Sequence, residues 1–202
     1  AVSRVQLNTR AKGRPSGTGI RINGGTVDEI KDIGCPEGTS ITVRDIFFNT
    51  PARYKFLKKD STESGHISDI ITRTALGNPN ISFKLVNNGT TVIHTPGNCD
   101  LKSCIFSLYG SETARNIAEI GYRDEKVVIT GFAGLPEIAR SSRTNQSIFI
   151  NSRYVKSRTV THAVEEAYKT LLMKHKYPFI VLKLEINPLL VDVNVHPAKM
   201  EI

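Results

Sequence analysis

Between Gln146 and Ile186 the chain reads strand, helix, strand, and no other feature constrains its fold as much. QSIFINSRYV, residues 146–155, is rich in β-branched and aromatic residues and reads as a strand. From Thr159 to His175 the spacing places Val160, Ala163, Val164, Ala167, Tyr168 and Leu171 on one helical stripe. FIVLKLEI then returns to a two-residue period, with Ile180, Leu182, Leu184 and Ile186 on one face. A helix striped on one side and flanked by strands buries that stripe against their sheet.

The upstream chain uses the same vocabulary. Val2 to Leu7 and Gly17 to Asn23 read as strands joined by the turn-rich AKGRPSG, and Thr26 to Ile30 and Ser40 to Phe47 continue the meander. A helix follows with Ile67, Ile70, Ile71, Thr74 and Ala75 on one face, ending at Gly77 with Pro79 beyond. ISFKLV, Asn87-Asn88-Gly89 and TTVIHT form a hairpin. Asp100 caps a further helix carrying Leu101, Cys104, Ile105 and Leu108 at helical spacing and ending at Gly110, and VVITGFAG is the next strand. The order indicates an α+β fold of two α/β sandwich units, 1–95 and 96–202, with TPGNCD (95–100) as the linker and no internal repeat.

Composition bounds the function. With 39% hydrophobic residues over 202 positions the chain can build a true core. It has no apolar run of membrane-spanning length and no charged-then-apolar leader at Ala1, so no membrane partner is expected. Cys35, Cys99 and Cys104 are an odd set without a Cys-x-x-Cys pair and read as reduced thiols of a cytoplasmic protein. The net charge of +8 favours an anionic partner. Its excess is concentrated: Ala139 to Lys176 holds eight Lys and Arg against Glu165 and Glu166. Such concentration is the electrostatic footprint of a nucleic-acid contact, although a charge run is often a solvated face.

Two strings carry more than local structure. FFNTPARYKFLKK, Phe47 to Lys59, runs from a strand into Thr50, a residue suited to an N-cap, and Pro51, suited to the first helical position. Capping alone does not require Phe-Phe-Asn before it or Arg53 after it. VDVNVHPAKMEI, Val191 to Ile202, alternates Val191, Val193 and Val195 with Asp192, Asn194 and His196 until Pro197 stops the strand. The three polar side chains spread over about 13 Å, too wide for one ion's coordination, so no metal site is expected there. Lys199 follows in the turn, where a lone lysine is ordinarily a solvated tip.

In content, order and spacing these strings resemble the MutL family of mismatch-repair ATPases, over essentially the whole chain. The resemblance implies the rear part of a gyrase- and histidine-kinase-type ATPase domain (1–95), followed by a ribosomal-protein-like transducer domain with a left-handed crossover (96–202). It implies a complete protein that binds ATP and Mg²⁺, hydrolyses ATP, binds DNA without sequence preference, forms a homodimer, and works with mismatch-recognition and downstream repair proteins. Gly38 and Thr39 match the family's Gly-Thr motif, whose threonine helps hold adenine. A hydroxyl suits this because it donates and accepts at once. Lys199 matches the lysine that reaches the γ-phosphate, where a cation stabilises developing charge during catalysis. Arg158 matches a DNA-binding arginine, and Arg153 and Lys156 extend the basic strip beside it. No base-reading motif is present, which points to phosphate contacts. The general-base Glu, the Mg²⁺-binding Asn, the Asp-x-Gly-x-Gly segment and the Gly-rich lid that the family uses are absent from these residues. The chain by itself is therefore expected to be a monomer with no bound cofactor and no ATP turnover. The alternative reading is a basic nucleic-acid-binding or scaffold module with no nucleotide role.

Overall fold

The computed structural model describes residues 1–188; the closing string with Asp192, Asn194, His196 and Lys199 lies outside them. By contacts the chain divides into two compact units, Ala1–Glu63 and Ser64–Ile202.

The first unit is an antiparallel sheet of β1 (Arg4–Arg10), β2 (Gly17–Asn23), β3 (Thr26–Ile33) and β4 (Gly38–Arg44), in the order β3-β2-β1-β4. Register, not composition, decides which face is apolar. Val5 and Leu7 lie opposite Ile22 and Ile20 on β2 and opposite Val43 and Ile41 on β4. Ile20 and Ile22 in turn face Ile30 and Val27. Within the chain this face is open at its edges, with Ile30 64% and Ile41 59% exposed.

After the sheet comes α1 (Pro51–Tyr54), a single turn with proline at its start as expected. The capping role read for Thr50 is not made. Its ψ of 72° departs from extended cap geometry, no side-chain cap bond forms, and its hydroxyl is buried without a partner among the described residues. α2 (Asp60–Gly77) runs across the division between the units.

In the second unit β5 (Lys84–Asn87) and β6 (Thr90–His94) form the expected hairpin, turning on Asn88 and Gly89 at positive φ. α3 (Leu101–Arg115) begins at Asp100, whose carboxylate accepts from the backbone of Lys102 (3.1 Å) and Ser103 (3.0 Å). It breaks at Gly110, whose φ of 85° and ψ of 174° are non-helical, where the sequence placed the helix end.

The main sheet holds β7 (Ile117–Arg123), β8 (Val127–Gly134), β9 (Gln146–Ile150), β10 (Arg153–Val155) and β11 (Ile180–Ile186), ordered β10-β9-β11-β8-β7. Only β9 and β11 are parallel among these pairs, and the chain between them carries α4 (Arg158–Ala167). Alternation sends Ile148, Ile150, Ile180, Leu182 and Leu184 to one face, where Val160, Val164 and Tyr168 pack. Phe149 and Val181 point to the other, against Ala75, Leu76, Cys104 and Ile105. The sheet is thus covered on both sides.

Several local readings change. QSIFINSRYV is two strands, because Asn151 (φ 48°) and Ser152 (φ 67°) turn the chain back. Asn151 secures that turn by donating to Ile186 O and accepting from Ile186 N. α4 stops at Ala167, well short of His175, and Leu171 is 60% exposed. The hydroxyl of Tyr168, at the helix end, donates to Gly134 O at 2.8 Å and anchors the stop. On α2 the buried residues are Ala75 and Leu76, while Ile67 and Ile70 of the expected apolar face are exposed in this chain. β7 has no counterpart in the sequence reading.

Candidate nucleic-acid interface

The turn from β10 into α4 builds the most basic feature of the second unit. Ser157, 7% exposed, caps α4 by accepting from Val160 N at 3.3 Å. Arg158 is therefore the first helical residue, and it is exposed, as is Lys156 just before the cap. No acidic residue lies in the first turn of α4, so the free N–H groups and positive dipole end are not neutralised locally.

Lys156 and Arg158 line a cleft of about 740 Å³ together with Arg73, Arg143, His162 and Glu165. A neighbouring cleft of about 710 Å³ shares Arg73 and Lys156 and adds Arg153 and His66. The three DNA-contact residues read from sequence thus lie along two clefts joined by Arg73, Tyr154 and Lys156.

Arg73 and Arg143 were not singled out by sequence, and both are held in place. Arg73 Nη2 lies 2.9 Å from Asp69 Oδ1, and its guanidinium sits 4.3 Å over the Tyr154 ring. Arg143 makes a two-point pair with Glu165, with Nη2 3.0 Å from Oε2, and stacks 4.3 Å over Tyr177. That hydrogen bonding holds the Glu165 carboxyl below its ordinary range. The carboxylate is thereby occupied by Arg143, and the cleft remains positive.

Gln146, 8% exposed, contributes to the same cleft. Its Nε2 is buried with no hydrogen-bond partner among the described residues. An unpaired buried donor costs about 1–3 kcal/mol, so this amide stands out from an otherwise satisfied strand. Nothing in the sequence marks it, since glutamine at a strand start is unremarkable chemically.

The residues read as nucleotide contacts lie in the first unit. Gly38 opens β4 with φ at 107°, in the region that favours glycine, and no atom crowds the place a Cβ would occupy. Thr39 follows, exposed, and the register puts it on the open apolar face opposite Thr9. Its hydroxyl lies 2.8 Å from that of Thr9. Lys199 falls outside the described residues.

Elsewhere, burial pushes the Cys104 thiol up to about 11, and the half-buried Lys183, its ammonium disfavoured by desolvation, donates to Gly77 O at 3.3 Å. Cys35, Cys99 and Cys104 are all free. Among the described residues no cluster of His, Cys, Asp and Glu could hold a metal, and no helix is long and apolar enough to cross a membrane.

Comparison with known proteins places the chain as a whole. Residues 105–202 match the family model "DNA mismatch repair protein, C-terminal domain". MutL of Clostridium botulinum is 48% identical over all 202 residues, and MutL of Clostridium tetani is 45% identical over the same span. The chain covers 30% and 33% of those two proteins, about a third of their length. Among solved structures, the N-terminal domain of a DNA repair protein superposes with a TM-score of 0.83 at 22% identity, covering 98% of this chain and 65% of that one. The Aquifex aeolicus MutL ATPase domain complexed with ADP gives a TM-score of 0.71 at 26% identity, covering 93% of this chain and 69% of that one. The B-subunit of DNA gyrase from Myxococcus xanthus shares the fold alone, with a TM-score of 0.57 at 13% identity over 99% of this chain and 61% of that one. The mixed α+β architecture is that of MutL- and gyrase B-type ATPase domains, and, with sequence agreement running from the first residue to the last, the chain belongs to the MutL family of DNA mismatch-repair proteins.

Proposed function

We propose that the second unit contacts duplex DNA through its backbone, with Arg158, Lys156 and Arg153 as the principal cations and Arg73 as a fixed one between the two clefts. One observation carries this reading: residues from α2, the β10 turn and α4, distant in sequence, converge as cations around one cleft at the uncompensated start of a helix. Phosphate contacts of this kind position a protein without reading bases, so affinity depends on salt far more than on sequence.

The complete protein, in the same proposal, binds ATP with Mg²⁺ and hydrolyses it, dimerises, and couples these events to mismatch-recognition and downstream repair proteins. The boundary at residue 95 would then separate the rear of an ATPase domain from a transducer domain. Two observations of this chain fit a nucleotide. The open apolar face of the first sheet offers a surface for a flat ring, and the Thr39 hydroxyl, though paired with Thr9, keeps capacity for a further bond. No step of hydrolysis is assigned to the described residues, and Lys199 is proposed as the γ-phosphate contact by resemblance alone.

Fluorescence anisotropy with two duplexes of unrelated sequence tests the DNA reading. The wild-type chain should bind both with similar affinity at low salt, and Arg158→Glu should weaken both alike. Strong preference for one sequence, or no effect of the substitution, would remove the β10–α4 turn from the interface.

A further inference from the structure

We propose that the start of α4 and the side-chain amide of Gln146 together form a discrete site for one phosphate group, a fixed seat within the broader basic surface. The inference rests on the DNA-binding reading above and deepens it.

The start of a helix attracts anions through its free N–H groups and dipole, but most helix starts bind nothing. Here a second, independent feature lies in the same cleft. Gln146 is more than nine-tenths buried, contributes to the cleft wall, and its Nε2 lacks any partner among the described residues. The register explains the juxtaposition. β10 pairs Val155 with Ile148, so Lys156 and Ser157 follow on one strand where Ser147 and Gln146 precede on the other. The cap of α4 and the orphaned amide are thereby brought to one end of the sheet.

The chemistry of the lining selects the ligand. Arg73, Lys156, Arg158, the Gln146 NH₂ and the first-turn backbone N–H groups are donors. The one carboxylate, Glu165, has its two oxygens taken by Arg143. A cavity that offers donors and positive charge matches a ligand that only accepts, and a phosphate with its several oxygens fits better than any group needing to donate. At about 740 Å³ the cleft exceeds one phosphate, leaving room for the sugars on either side of a backbone phosphodiester. In the free chain Nε2 is closed to solvent, so a phosphate oxygen reaches it through a local rearrangement of the cleft lining.

Gln146 is neutral, and this makes its role separable from that of the cations. Losing a lysine or arginine contact changes the number of counterions released, whereas losing an amide contact does not. Gln146→Leu should therefore weaken duplex binding about tenfold while leaving the log-log salt slope unchanged, and it should melt no lower than wild type, because the amide has no partner to lose. The companion measurement uses the wild-type chain alone. In ¹⁵N-resolved NMR the Gln146 side-chain NH₂ resonances should move on titration with a short duplex, and separately with inorganic phosphate.

The outcomes divide cleanly. Movement with duplex together with a weakened Gln146→Leu supports the site with DNA as the phosphate source. Duplex binding with a still Gln146 amide and a normal Gln146→Leu overturns the site and leaves the DNA reading standing. Movement with inorganic phosphate but no duplex binding keeps the site and overturns the DNA reading. No movement with either probe overturns the site, even if Gln146→Leu fails to fold.

Discussion

Arg73 on α2 lies with its guanidinium carbon 4.3 Å above the ring of Tyr154 on β10, and the two residues bridge both basic clefts. The stack holds a cation from the helix at the edge of the sheet, where neither element alone would place one. Only 16% of the Arg73 side chain is exposed, so its freedom is already limited before any ligand arrives. Tyr154→Phe should keep both the stack and duplex affinity, whereas Tyr154→Ala should lose about 0.5–1 kcal/mol of cation–π stabilisation and weaken duplex binding. Thermal melts and anisotropy on both variants check this, and equal DNA affinity for Tyr154→Ala would make the stack purely structural.

Asp100 anchors the start of α3. Its carboxyl is held below the ordinary value of 3.8, first by the Ser103 hydroxyl and then by backbone N–H groups of Ser103 and Lys102. Because the folded value is lower than the unfolded one, the contribution is present above about pH 4 and is lost as pH falls through the depressed folded value. Asp100→Ala should cost about 1 kcal/mol at pH 7, a fall of roughly 2–4 °C in Tm, and the gap between variant and wild type should close under strong acid.

The cysteines should react in order of exposure. Cys99 is exposed, while Cys104 is 1% exposed and its thiol is pushed up to about 11. At pH 8 under native conditions Cys99 should be alkylated readily and Cys104 only after unfolding. Mass spectrometry of the tryptic peptides distinguishes them, and rapid native labelling of Cys104 would mean the α3 face of the sheet opens.

Lys199 is tested in the complete protein. If it contacts the γ-phosphate, Lys199→Ala should reduce ATP turnover by up to about 10²- to 10³-fold with nucleotide binding less affected. If it is a solvated turn residue, turnover should be unchanged. Steady-state hydrolysis with a melting control separates the two.

What could be read from sequence follows the physics of each element. β2, β8 and β11 are found where the sequence placed strands; β8 and β11 pack one face into a core within the chain itself, whereas β2 alternates half-buried Ile20 and Ile22 with exposed Arg21 and Asn23. Asp100 was legible because capping is local. The α2 face was misread because periodicity shows that a helix is amphipathic without saying which neighbour covers it. Ile67 and Ile70 look like core yet are exposed here. The split of 146–155 into two strands hinged on Asn151 and Ser152 accepting positive φ without a glycine to announce it. In the cleft, Arg158, Lys156 and Arg153 were visible as one charged stretch. Arg73 was not, since only the fold brings it beside residues some 80 positions away, and no local pattern distinguishes Gln146.

The salt dependence of duplex affinity tests the central claim most directly. With the wild-type chain, log affinity should fall linearly with log salt. Arg158→Ala and Lys156→Ala should each lower the slope by about 1, and the double variant by about 2, on any duplex sequence. Slopes identical to wild type in all three variants would mean that DNA, if bound at all, lies elsewhere on the protein.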